Sequence, residues 1–79
     1  MTLAMAKPGE RIIIKEIIGG KTARARLTSM GFRPGDTLEI ISNDGWGRLI
    51  VGFGNTRMAM GRGMAQKIMA TLAPQDHTV

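Results

Sequence analysis

The sequence predicts a mainly β fold, a small barrel of about five strands with one inserted α-helix and a short helical turn. The chain has 79 residues, which is the length of one small domain. Its 11 glycines and 3 prolines divide it into short segments, most of which are β-branched or alternate in polarity. A flat sheet of this size cannot hide one face and leaves its edges open, so we expect closure into a barrel.

The first strand is predicted over residues 11–18, after a turn at Pro8-Gly9. Isoleucine dominates this segment, and β-branched side chains are favoured on the pleated surface of a sheet. The paired glycines Gly19-Gly20 are typical of a turn and end the strand.

The inserted helix is predicted over residues 21–30. Ala23, Leu27 and Met30 recur there at helical spacing and form one apolar stripe. Thr22 is the expected N-cap residue, since its hydroxyl can accept a bond from the first helical N–H groups.

The end of the helix is marked more strongly than its start. Gly31 suits the left-handed position that follows many helices, and Phe32 can pack back on the last turn. Pro34 prevents the helix from continuing.

Four further strands and a helical turn complete the predicted barrel. Asp44-Gly45 and Gly54-Asn55 are hairpin signals that separate three of the strands. The predicted ranges are 37–40, 48–53, 56–60 and 67–71 for the strands and 61–65 for the helical turn.

Several classes of chemistry are excluded by composition. The absence of cysteine rules out disulfides, thiolate metal sites and a cysteine nucleophile. His77 is the sole histidine and falls in a predicted flexible tail, 74–79, which cannot hold a general base in place. Gly20-Lys21-Thr22 begins like a phosphate-binding loop, but Lys15 stands where that loop needs a glycine. We expect no catalytic residues and no enzymatic activity.

The chain contains seven methionines, a high number for its length. Met58, Met60, Met64 and Met69 fall on predicted strands or the helical turn, where methionine commonly fills irregular cores. An adaptable partner surface and a metal site are the alternatives. Thioethers favour Cu(I), whereas Fe(II) prefers imidazole and carboxylate. We expect no tightly bound cofactor and at most weak binding of Fe(II) or another divalent transition metal, through carboxylates or His77.

The formal charge of +5 raises nucleic acid as a partner. Single-strand-binding barrels present several stacking aromatics, but Phe32 and Phe53 are expected to pack internally, which leaves only Trp46. A protein partner with an acidic face is therefore favoured over nucleic acid. The arginines that could neutralise phosphates are spread along the chain, at Arg24, Arg26, Arg33, Arg48, Arg57 and Arg62.

Two residues are the candidates for binding such a partner. Trp46 is predicted at a hairpin tip, where the indole either folds back as a lid over the barrel end or stands out as an anchor, the residue type most enriched among interface hot spots. Arg24 lies on the helix beside the apolar stripe and would steer an acidic partner.

The order of short motifs along the chain resembles the ferrous iron transport protein A family, FeoA. An early Pro-Gly and a Gly-Gly turn precede the segment 26–36, which contains Arg26-Leu27, Met30-Gly31-Phe32 and Pro34-Gly35. The resemblance covers about residues 3–73. It implies one FeoA-like domain over residues 1–79, with a core of about 3–73 and the tail 74–79, folded as an SH3-like barrel.

The resemblance also implies a function. FeoA proteins are cytoplasmic and accompany FeoB, a membrane GTPase-permease that imports Fe(II). We expect an accessory protein that binds the cytosolic part of the permease and is recruited by it to the inner face of the membrane. Whether it acts on GTP hydrolysis, assembly or gating, and its oligomeric state, stay open. The alternative is a nucleic-acid-binding or regulatory barrel related to the C-terminal domain of iron-dependent repressors.

Overall fold

The computed structural model describes residues 1–74, which form a five-stranded antiparallel sheet with two short helices. The mainly β fold class is confirmed. The predicted tail 74–79, apart from Pro74, lies outside the described residues. In chain order the elements are a 3₁₀ turn (Leu3–Met5), β1 (Arg11–Ile17), α1 (Gly20–Ser29), β2 (Thr37–Ser42), β3 (Leu49–Phe53), β4 (Thr56–Met60), α2 (Arg62–Ala65) and β5 (Ile68–Leu72).

A bulge in the interior strand β1 bends the sheet. The register of β1 against β5 shifts after Ile14, so Lys15 is an extra residue. The alternation of buried side chains shifts by one residue there: Ile12 and Ile14 are buried, and the next buried residue is Ile17. A second register shift lies within β2. Bulges bend a strand and increase its twist, so the two shifts curl the sheet around its core.

The edges of the sheet differ from the sequence-based expectation. The strand order is β4-β3-β2-β1-β5, so β4 and β5 stand at opposite ends and do not pair with each other. The chain from Met60 to Ile68 passes through α2, which confirms the predicted helical turn. Thr2 forms an isolated bridge to Met69 on β5. Within the described residues β4 pairs with β3 alone, so curling of the sheet does not remove this edge.

The buried apolar residues form one core cluster. The rings of Phe32 and Phe53 meet edge to face, with centroids 5.4 Å apart, as their assignment to internal packing predicted. Met60 is buried, and Met58 and Met64 pack against the core. The largest fully buried side chains are those of Leu3, Ile12, Ile14, Leu27, Phe32, Leu38, Ile40, Leu49, Val51, Met60 and Ile68.

The end of α1 follows its sequence signals. Gly31 has a φ of +90°, a conformation that glycine adopts without steric cost. Its N–H donates to the carbonyl of Thr28 at 2.9 Å, and the N–H of Phe32 donates to the carbonyl of Leu27 at 3.0 Å. This pair of bonds is the Schellman motif, so the predicted helix end is confirmed.

The start of α1 differs from the prediction. The helix begins at Gly20 with Gly19 as its N-cap residue, and no side chain caps it. Gly19 has a φ of +107°, so the chain turns sharply as soon as β1 ends. Thr22 therefore lies inside the first turn, and its assignment as the N-cap is wrong.

Candidate functional site

Trp46 is the most exposed large apolar side chain of residues 1–74, with 81% of its surface accessible. It lies in the loop of residues 43–48, which joins β2 to β3 and is called the tryptophan loop below. The alternative in which the indole folds back as a lid is wrong, because a lid would bury the ring. Trp46 therefore presents its side chain to solvent.

The backbone of the tryptophan loop is held by Asp44. Its Oδ1 atom accepts hydrogen bonds from the N–H of Gly47 at 2.7 Å and of Trp46 at 3.0 Å. The guanidinium of Arg62 lies 3.9 Å from the same oxygen. The bond from Gly47 lowers the pKa of Asp44 most, followed by the bond from Trp46 and, more weakly, by the charge of Arg62. The ionised carboxylate thus fixes the backbone on which the indole stands.

Arg62 joins this loop to two other parts of the molecule. It is the first residue of α2, and its side chain is only 18% exposed. Its Nε donates to the carbonyl of Gly47 at 3.0 Å, its Nη1 to the carbonyl of Ala4 at 3.2 Å, and its Nη2 to Oδ1 of Asn43 at 2.6 Å. These bonds engage all three guanidinium nitrogens. Arg62 therefore acts as a structural cross-link, unlike the exposed arginines with which the sequence analysis grouped it.

Asn43 completes the network. Its Nδ2 atom donates to the carbonyls of Ala4 at 3.0 Å and Ala6 at 2.7 Å, and its Oδ1 accepts the N–H of Gly45 at 3.0 Å. The 3₁₀ turn, which carries the 68% exposed Met5, is thereby attached to the tryptophan loop. Two exposed apolar side chains thus stand on segments that Asn43 holds together.

Arg24 lies on an exposed position of α1. Among the described residues, no hydrogen bond or ion pair joins its side chain to the tryptophan loop. The two sequence-predicted partner residues are therefore carried by separate elements, with no direct bond between them.

A groove of about 940 Å³, called the methionine groove below, runs between α1 and the segment from β4 to α2. Three methionines line it, the buried Met60 and the half-buried Met30 and Met64, and Lys21 and Arg26 supply its cationic groups. Sequence analysis missed this site, because only the fold brings its parts together. The lining residues are Lys21, Thr22, Ala25, Arg26, Ser29, Met30, Ala59, Met60, Gly61, Gly63 and Met64.

Metal-ligating side chains are dispersed. Across residues 1–74, no three histidine, cysteine, aspartate or glutamate side chains come together as a metal site. His77 lies outside the described residues. No helix in the described part of the chain has the length and apolar character needed to cross a membrane.

The chain is similar to known proteins over most of its length. A family model for the FeoA domain matches residues 1–72. A protein of Methanocaldococcus jannaschii that carries the name Fe(2+) transport protein A is 45% identical over 67 residues, which are 85% of this chain and 80% of that protein. A crystal structure of an iron uptake regulatory protein, FeoA, has a TM-score of 0.86 at 34% identity, covering 92% of this chain and 97% of that one.

Two more distant structures share the fold. The FeoA protein of Stenotrophomonas maltophilia, crystallised with zinc and described as a prokaryotic SH3 domain protein, has a TM-score of 0.74 at 21% identity, over 90% of this chain and 89% of that one. A manganese-dependent transcriptional repressor has a TM-score of 0.81 at 16% identity, over 94% of this chain and 41% of that one. The SH3-like architecture is confirmed.

Proposed function

This chain belongs to the FeoA family, and from that membership we propose that it serves Fe(2+) transport as an accessory protein that binds the cytosolic part of a FeoB-type GTPase-permease. The role is one of binding, and it needs no catalytic turnover by this chain. The dispersed acidic side chains of residues 1–74 are consistent with that role.

The exposed indole of Trp46 carries this proposal. An indole that is 81% exposed supplies a large apolar area that a partner can cover. The hydrogen bonds that Asp44 accepts and Arg62 donates keep the loop in one conformation before binding. Little conformational entropy is then lost on association, which raises affinity. Met5, 68% exposed on the attached 3₁₀ turn, extends the apolar surface.

The positive charge of this chain favours a partner whose binding face is acidic. The chain has a formal charge of +5, and Arg24 is an exposed cation on α1. Cations at the rim of an interface mainly accelerate association, and salt weakens their effect. Arg24 therefore acts in our proposal by steering the partner, whereas Trp46 supplies most of the binding energy.

Calorimetric titration with the purified cytosolic domain of the permease tests this assignment. Trp46→Ala is expected to weaken binding about thirtyfold, or about 2 kcal/mol, as is usual for an interface anchor. Leu72→Ala is the matched control, because it removes another exposed apolar side chain, 55% accessible, from β5, outside the tryptophan loop. Arg24→Glu should slow association most at low salt.

Two results would contradict the proposal at different levels. If folded Trp46→Ala binds as tightly as the wild type, the tryptophan loop is not the interface. If the wild type does not bind the permease domain, the partner itself is wrong.

The alternative of a nucleic-acid-binding barrel has weaker support. The fold is shared with a transcriptional repressor, but Phe32 and Phe53 pack against each other and Arg62 is engaged within the protein. A gel shift whose affinity falls steeply with salt would favour this alternative.

A further inference from the structure

The outer edge of β4 carries free backbone groups. Phe53 pairs with Thr56 across the two-residue turn Gly54-Asn55, and such a closing pair exchanges both of its hydrogen bonds. Because bonded pairs alternate along an antiparallel ladder, the N–H and C=O groups of Arg57 and Ala59 point away from β3. Among the described residues, no backbone partner outside the β3 ladder bonds to them.

The methionine groove lies directly beside this edge. Ala59 and Met60 of β4 line one side, and Met30, at the C-terminal end of α1, lies on the other. Met64 of α2 adds a third thioether. Methionine side chains are flexible and polarisable, so a surface lined by them adapts to the apolar side chain of a partner.

Positive charge surrounds the groove. Lys21 and Arg26 line it from α1. A smaller depression of about 310 Å³ shares Arg26 and Met64 with it and adds Lys67. No acidic residue lines either depression. A segment that fills this space therefore gains favourable electrostatic energy if it carries carboxylates.

We infer that the methionine groove binds an extended acidic segment of a partner protein, which adds to the sheet as a strand against β4. The N–H and C=O groups of Arg57 and Ala59 pair with the segment's backbone, as in other cases of strand addition. Alternate side chains of a strand point to opposite faces, so apolar residues enter the groove while acidic residues on the other face meet Arg57. Lys21 and Arg26, which line the groove, attract the negatively charged segment as a whole. A second copy of this chain, also at +5, is disfavoured as the occupant.

This inference does not rest on the proposed function, because the groove and the tryptophan loop are separate surfaces. Its test uses synthetic peptides of about eight residues, the upper part of the usual strand range. One peptide alternates leucine with glutamate, one has the same sequence with N-methyl groups at every second amide, and one alternates leucine with lysine. The readout is the NMR spectrum of the full chain, with methionine methyl groups labelled.

We expect the glutamate peptide to shift the methyl signals of Met30, Met60 and Met64 and to slow hydrogen exchange at the amides of Arg57 and Ala59. The N-methylated peptide should bind at least tenfold more weakly, because its methylated amides cannot donate to β4, and the lysine peptide should cause no shift. Equal binding of the lysine peptide, unchanged exchange at both amides, or shifts that grow with protein concentration without peptide would overturn the inference.

Charge reversal on α1 supplies a matched pair of variants. Arg26→Glu changes a residue that lines the groove, and Arg24→Glu makes the same change outside it. We expect about a tenfold loss of peptide affinity for the first variant and none for the second, with both thermal transitions intact. Equal losses of peptide affinity in both variants would overturn the inference, because the peptide would then respond only to the net charge of the protein. Trp46→Ala should keep full peptide affinity, which separates this surface from the proposed permease interface.

Discussion

Nη2 of Arg62 donates a hydrogen bond of 2.6 Å to Oδ1 of Asn43, and this contact links α2 to the loop that carries Trp46. Both residues also bond to the carbonyl of Ala4 in the 3₁₀ turn. Three segments that are distant in the sequence are thereby held by two polar side chains. The stability of this end of the molecule therefore depends on the guanidinium group more than on any apolar contact of Trp46.

Arg62→Ala should lower the free energy of unfolding by roughly 1.5–3 kcal/mol, because a charged donor is removed from acceptors that are partly shielded from water. Arg62→Lys should recover less than half of the loss, since an ammonium group cannot reproduce the planar fork. Urea denaturation measures both changes. Arg48→Ala, which changes an exposed arginine of the tryptophan loop, serves as the control and should be nearly neutral. A neutral Arg62→Ala would show that the cross-link does not stabilise the fold.

Acid should loosen the tryptophan loop. The pKa of Asp44 is lowered in the folded protein from an ordinary value of 3.8, chiefly by the N–H of Gly47 and then by that of Trp46. The stabilisation is therefore complete above that ordinary value and is lost as pH falls through the lower folded pKa. We expect a change in Trp46 fluorescence below about pH 3.8 in the wild type.

Two carboxamide variants assign this acid transition. It should disappear in Asp44→Asn, which cannot titrate at that position. Asp36→Asn should retain it, because Asp36 accepts a backbone bond from Arg33 and none from the tryptophan loop. A transition that persists in Asp44→Asn would assign the acid effect to another group.

Gly31→Ala should destabilise the protein by about 1–2 kcal/mol through backbone strain alone. No atom lies within 4 Å of an added Cβ, but the φ of +90° is unfavourable for alanine. Gly63→Ala is the matched change inside α2, where the added Cβ also meets open space and the φ is ordinary. It should be neutral or stabilising by up to about 1 kcal/mol. Thermal unfolding of both variants tests whether backbone conformation decides the outcome.

Leu27→Ala should cost about 2–5 kcal/mol of folding free energy. Leu27 is fully buried on the apolar stripe of α1, so the substitution leaves a cavity. Trp46→Ala should change the free energy of unfolding by less than about 0.5 kcal/mol, as expected for an exposed position. Comparison of the two unfolding curves decides whether any loss of partner binding reflects a lost contact or a lost fold.

Fe(II) should bind the monomer weakly. Residues 1–74 contain no grouped carboxylates or histidines, and thioethers are poor ligands for Fe(II). Anaerobic calorimetry should give no site of submicromolar affinity per chain. Such a site would contradict the prediction, and substitution of single acidic residues would then locate it.

Local signals in the sequence predicted the parts of the fold that depend on neighbouring residues. The end of α1 follows from the order of Gly31, Phe32 and Pro34, and the hairpin between β3 and β4 follows from Gly54-Asn55. In that turn Gly54 has a φ of +60°. Every residue with a positive φ in residues 1–74 is a glycine. The sequence alone left the exposure of Trp46 open, because it depends on whether the barrel end has room for an indole.

Long-range contacts account for what the sequence did not reveal. Arg62 carries no local mark that distinguishes it from the exposed arginines, because its acceptors belong to Ala4, Asn43 and Gly47. The methionine groove is likewise assembled from α1, β4 and α2. The predicted N-cap was wrong because Gly19 turned the chain earlier than the side-chain pattern indicated.

The position of β1 between β2 and β5 has a consequence for synthesis of the chain. Of the five strands in residues 1–74, β1 is the first to leave the ribosome, but one of its two neighbours, β5, is the last, and Ile12 pairs with Leu72. Folding must therefore close the chain from Ile12 to Leu72 into a loop, and domains dominated by such distant pairings fold in milliseconds to seconds. Until β5 has emerged, β1 lacks one of its two neighbouring strands, and its isoleucines are only partly buried. This interval is when a nascent chain is most exposed to aggregation and to capture by chaperones.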